Sequence, residues 1–287
     1  MKLLLSFGYG PDPAPTLAGI RRWFADGLPV VGDGLAAELV QGPPLNPARR
    51  GGYQVGEPGQ AWSMVSGQEK PSSRRPGLFV YSPANFERLL DRWLPARLWM
   101  TEVMLYRLDE SGGSPTTQVS LALQHLENDP QFGQLEAWCP AEWLSRPEYL
   151  EAILQWWQRA IEEVDANYGE FSDGHYLRTA LETQRGDSDR DTVPRARRRL
   201  RGYSWLTVIP AEIGDWLGGL PALQASGAFH EVRRLANGAY WLRATATPDG
   251  YEEAERASVR AALERALPPE RRTPGEAEVD ITTQAPA

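Results

Sequence analysis

The chain is poor in the residues that most often announce chemistry. Its 287 residues include one cysteine and three histidines. Cys139 has no partner within the chain, so no internal disulfide framework exists. His125, His175 and His230 are scattered, and His230-Glu231 lacks the second histidine four residues on that a zinc-protease helix needs. No metal site is expected from so few ligands, and no cofactor. Apolar runs are short: none approaches the roughly 18 residues of a membrane helix. Positive charge is also in deficit, with 30 Lys+Arg against 38 Asp+Glu for a net charge of −8. A general nucleic-acid binder needs a basic footprint, so that class is disfavoured. Neither a Gly-x-Ser-x-Gly elbow nor a P-loop occurs. No catalytic residue is assigned, and the protein is expected not to be an enzyme.

The N-terminus has one lysine and a run Leu3-Leu4-Leu5 that Gly8, Gly10, Pro11 and Asp12 soon interrupt. A secretory segment needs roughly 7–15 apolar residues, so the reading is a first strand in a cytoplasmic protein.

What is present is a globular composition, 41% apolar and 24% charged. A chain this long buries roughly three-quarters of its unfolded surface and needs no staple to fold. Leu17, Ile20, Trp23 and Phe24 fall at helical spacing, with a stop expected near Gly27. Residues 41–77 are dense in glycine and proline and read as a long loop. Ser82-Pro83 opens a helix, since proline lacks only an N–H that is unpaired there anyway. Val119, Leu121 and Leu123 alternate as a strand that pairs with Leu135 to Cys139.

Ser145 and Glu148 form a capping-box pattern ahead of a helix over 146–165, striped by Leu150, Ile153, Leu154, Trp157 and Ile161. Trp156 and Trp157 lie about 100° apart on that helix, so one is expected to add an exposed apolar patch. Asn237-Gly238 predicts a tight type I′ hairpin between two strands. Asp249 with Glu252 predicts the cap of a last helix, with Val259, Leu263 and Leu267 inward. This order of strands and helices argues an α+β fold of mixed or antiparallel sheets with packed helices, ending in a hairpin followed by a helix. The expected division is 1–116 and 117–268, with a disordered tail over 269–287.

Two polar clusters stand out. Tyr168, Glu170, Asp173 and His175 read as a polar loop leaving the long helix; if burial tuned them, Glu170, Asp173 and His175 offer an acid–base set for an enzyme of unknown reaction. Arg197, Arg198 and Arg199 lie in a run of five arginines over 195–201, just after Asp187, Asp189 and Asp191. Such a run is a solvated or self-neutralising loop, or a grip on an acidic protein surface or a phosphate backbone. A structural or scaffolding interaction module, using the 41–77 loop on a partner, is the third reading.

The segment from Arg201 to Pro210 (RGYSWLTVIP), followed by Glu212 to Gly219 (EIGDWLGG), resembles a pattern in bacterial type VI and polymorphic-toxin immunity proteins. There a G-x-x-W-[LF]-T strand leads into a short helix closing on L-G-G, then a hairpin ending in an apolar strand, matched here by Gly238 to Thr247. The resemblance covers roughly 117–268. It implies a non-enzymatic cytoplasmic antidote that binds and occludes a cognate toxin, with Gly202 to Thr207 structural. The contacting residues are then sought at Tyr168, Glu170, Asp173, His175, Arg197, Arg198 and Arg199. An acidic net charge is compatible with steering a basic partner.

Overall fold

The computed structural model describes residues 1–39, 58–70, 77–110, 115–172 and 189–268. Along them run β1 (Lys2–Gly8), α1 (Ala14–Ala37), β2 (Ala61–Gln68), β3 (Gly77–Val80), α2 (Pro83–Arg88), β4 (Met100–Leu108), β5 (Pro115–Leu126), β6 (Asp129–Trp138) and α3 (Pro147–Glu163). Then follow β7 (Tyr168–Ser172), α4 (Asp189–Thr192), β8 (Leu206–Ile209), α5 (Ala211–Trp216), α6 (Gly219–Ala225), β9 (Glu231–Arg234), β10 (Tyr240–Arg243) and α7 (Glu253–Leu263). The architecture is α+β, as the order of elements implied. Among the described residues no helix is long and apolar enough to cross a membrane.

The chain forms two units. The first comprises Met1 and Tyr9–Val164. Its strands take the order β3-β2-β4-β5-β6, each neighbouring pair antiparallel. Antiparallel partners project side chains to the same face, so register defines rows across the sheet. Val65, Val103, Leu121 and Ala137 make one such row, and all four are fully buried. α1 packs on this face: a Cβ on its Gly32 would meet Leu105 of β4 at 2.9 Å.

Glycine sets how closely α1 approaches α3. The indole of Trp156 lies against Gly27, and Trp23 meets the same indole with ring centroids 4.2 Å apart. Gly27 is therefore a contact surface rather than a helix stop, and α1 continues to Ala37. It is interrupted at Asp33, whose φ of 47° and ψ of −140° leave the helical region. Arg146 donates to the Asp33 carboxylate at 2.8 Å, and the Tyr149 hydroxyl donates to the Val31 carbonyl at 2.8 Å, so both partners from the α3 end hold the break.

Other expectations need correction. Both Trp156 and Trp157 are buried, because the apolar arc of α3 runs from Tyr149 through Ile161 and is wide enough for both. The capping box does not form: Ser145 ends a 3₁₀ turn and donates to the Glu142 carbonyl, and α3 starts at Pro147. Ala61–Gln68, inside the stretch read as loop, is a strand paired on both sides. Its alternation was hidden by small residues, Ser63, Ser66 and Gly67. Residues 41–57 and 71–76 of that stretch lie outside the described residues, as does the tail beyond 268. β5 pairs with β4 on one side and with β6 on the other.

The second unit comprises Lys2–Gly8 and the chain from Asp165. Its strand order is β1-β7-β8-β10-β9, again antiparallel at each pairing. β1 supplies Leu3, Leu5 and Phe7, all fully buried. The hairpin at Asn237-Gly238 is present, but only Gly238 has positive φ, 87°. The Leu235 N–H bonds to the Ala239 carbonyl, and the Gly238 N–H bonds to the Leu235 carbonyl. This is a three-residue connection with glycine at its left-handed position, not a type I′ turn. Ahead of α7, Pro248–Gly250 forms a 3₁₀ turn, so Asp249 does not cap the helix, and Glu252 holds the cap position without a side-chain bond. Val259, Leu263 and Leu267 are buried as expected.

Glycine spacing in the first unit is directly testable. A Cβ at Gly27 would lie 2.5 Å from Trp156 Cζ2, whereas one at Gly34 would meet nothing within 4 Å. Gly27→Ala is expected to lower stability by about 1–3 kcal/mol despite alanine's better helix propensity. Gly34→Ala is expected to be neutral or stabilising by about 0.5 kcal/mol. Urea unfolding of the two variants measures both.

Candidate functional site

Tyr168 and Glu170 belong to β7 rather than to a loop. Every residue of β7 is buried, and Glu170 is 3% exposed. The Tyr168 hydroxyl donates to Glu170 Oε2 at 2.7 Å. Apolar alternation is absent from Tyr-Gly-Glu-Phe-Ser, so periodicity gave no sign of a strand held on one side by β1 and on the other by β8. Asp173 and His175 lie outside the described residues.

The arginines separate by role. Arg201 is 4% exposed, deepest of the run. It donates to Ser6 Oγ of β1 and, at 2.5 Å, to Asp189 of α4, with its guanidinium centre 5.5 Å from the centroid of the Tyr168 ring. A charge this buried persists because acceptors meet its N–H groups and the Tyr168 ring faces it. Arg201, not one of the run's central arginines, is thus the residue that ties β1, β7 and α4 together. Position in sequence alone did not distinguish it.

Arg197 is half-exposed and bridges Asp165, at 2.6 Å, and Glu212. Burial works against its charge, but Asp165 and Glu212 outweigh that and hold its pKa above the usual value. Arg198 is exposed, and Arg199 is half-exposed. Of the seven residues singled out from sequence, the structure makes Tyr168 and Glu170 neighbours within the interior and leaves Arg198 on the surface.

The motif segment from Arg201 to Pro210 is buried along its length. Trp205 is buried, donates from its indole to the Thr245 carbonyl at 3.1 Å, and meets Phe171 of β7 edge-on at 5.2 Å. Thr207 accepts from the Ser204 N–H at 3.0 Å, which shapes the entry into β8. Gly214 allows α5 to lie against the ring of Tyr240. Gly218 and Gly219, with φ of 99° and 69°, turn the chain from α5 into α6.

His125, in the first unit, is 1% exposed. Its Nδ1 lies 2.7 Å from the Leu98 carbonyl, an oxygen that can only accept, so Nδ1 carries the proton and Nε2 accepts from the Tyr9 hydroxyl at 2.9 Å. Burial pushes its pKa below the ordinary value and nearby Arg97 adds to this, against the opposing bond to Leu98. Tyr9 is pushed up to about 12, chiefly by burial. The pair is a neutral clasp. Among the described residues no group of three His, Cys, Asp or Glu side chains could hold a metal ion.

No protein-family model matches the chain, and no curated protein matches it. A solved structure, the Pseudomonas aeruginosa T6SS protein PA0821, is similar in fold. The TM-score is 0.54 at 12% identity, over 98% of this chain and 77% of that one.

Two measurements test these assignments. Arg201→Met is expected to destabilise the protein by about 1–2 kcal/mol, because Ser6 loses a buried partner and the exposed Asp189 its ion pair; Arg198→Ala is expected to change stability by less than about 0.5 kcal/mol. For His125, a base whose pKa is lowered on folding, the unfolded chain takes up the proton first. Stability therefore falls as pH drops below about 6.5, until the folded state is protonated too. His125→Gln is expected to flatten that decline in unfolding scans at successive pH values.

Proposed function

We propose that the protein is a toxin-neutralising immunity protein of a type VI or related polymorphic-toxin system, acting in the cytoplasm by binding a cognate toxin domain and covering its active site. The observation that carries this reading is the fold shared with a T6SS protein over 98% of the chain. The G-x-x-W-L-T and L-G-G segments support it, because in this chain they occupy the core and helix-turn positions that a family-defining pattern would occupy. Occlusion asks for a preformed surface with a few strong anchors, and rigid, well-packed elements reduce the ordering cost of association. No step of bond making is assigned to any residue.

The experiment asks whether the adjacent reading frame encodes a secreted protein with a C-terminal toxin domain, and co-expresses the two. The expected result is that cells survive the toxin domain only when this chain is present, and that the two co-elute as a complex. Absence of both protection and complex would overturn the proposal.

A further inference from the structure

The hairpin between β9 and β10 carries a chemically reactive pair of residues. The chain has five asparagines, and Asn237 is the one followed by glycine. An asparagine side chain is converted when the backbone nitrogen of the next residue attacks its Cγ and closes a five-membered ring. A side chain on that next residue crowds the approach, and proline has no N–H to lose. Pro47, Phe86, Asp129 and Tyr168 follow the other asparagines, so Gly238 leaves Asn237 the least hindered of the set.

The folded turn acts on both reacting groups. Asn237 Oδ1 accepts from the Ala239 N–H at 3.2 Å, which draws electron density from Cγ and favours attack there. The nucleophile is held in the opposite sense. The Gly238 N–H donates to the Leu235 carbonyl at 2.9 Å, and the Leu235 N–H donates to the Ala239 carbonyl at 2.8 Å. Base must remove the Gly238 proton before the nitrogen can attack. A proton given to a carbonyl comes within reach of base only when the turn opens, as in amide hydrogen exchange.

Arg234 closes the turn from β9. Its Nε donates to the Gly238 carbonyl at 3.3 Å. The same guanidinium pairs with Asp215 of α5 at 3.5 Å and lies 5.4 Å from the centroid of the Tyr240 ring. The Tyr240 hydroxyl donates to Asp215 in turn, at 2.5 Å. One arginine thus ties the glycine of the turn to α5 and β10.

We infer that Asn237 is a site of spontaneous conversion to aspartate and isoaspartate, restrained by the Arg234 clasp so that reaction proceeds through the opened turn. Base takes the Gly238 amide proton, the nitrogen bonds to Asn237 Cγ, and the side-chain amide leaves as ammonia with a proton from water. Water then adds to either carbonyl of the ring. Breaking the ring bond at Cγ gives aspartate. Breaking the bond at the backbone carbonyl gives isoaspartate, whose main chain runs through Cβ and Cγ. That longer path no longer fits the Leu235–Ala239 closure, so it loosens β9, which pairs with β10 alone among the described strands.

The test incubates the full chain in mildly alkaline buffer, native and in guanidinium chloride, and follows each asparagine by peptide mass spectrometry. In denaturant Asn237 is expected to convert before the other asparagines. Its native rate is expected to lie roughly tenfold or more below its rate in denaturant, because reaction follows the population of the opened turn. Arg234 is exposed, so Arg234→Ala is expected to keep an unfolding midpoint close to the wild type while raising the native rate about threefold or more. Another asparagine converting first, or an unchanged native rate in Arg234→Ala, would overturn the inference. Equal native and denatured rates in the wild type would overturn it without any variant.

Discussion

Burial of the Val65–Val103–Leu121–Ala137 row beneath α1 is the constraint from which the first unit follows. An antiparallel sheet needs only one face against a core, so its strands alternate. Here the covered face is held close by Gly27 and Gly32, which let α1 approach the α3 indole and the β4 leucine.

The second unit solves a different problem. β7 is buried throughout and carries Tyr168 and Glu170 inside, so polar groups must be paired rather than hydrated. Arg201 meets that demand from the edge of the motif segment, reaching Ser6 and Asp189. The motif tryptophan fills the adjoining space against Phe171. The segment from Arg201 to Gly219 is, in this chain, a pattern of packing and turning.

Legibility in the sequence tracked the strength of local signals. The Ser82-Pro83 helix start, the α3 stripe, the β5 alternation and the C-terminal hairpin were readable because cap chemistry and periodicity act over a few residues. β2 was obscured by Ser63, Ser66 and Gly67 and by flanking glycine and proline, and β7 by having no solvent-exposed face at all. Gly27 was misread because a glycine that admits an indole looks, in one dimension, like a glycine that ends a helix. The candidate site suffered most. Tyr168 and Glu170 look like surface chemistry when listed in order, and only the pairing of β7 with β1 and β8 places them inside.

The central proposal is that this chain acts by binding a cognate toxin domain and performs no chemistry on it. Size-exclusion chromatography of the full chain mixed with that toxin domain addresses it most directly. The account predicts a single co-eluting complex, and elution of the two proteins apart would contradict it.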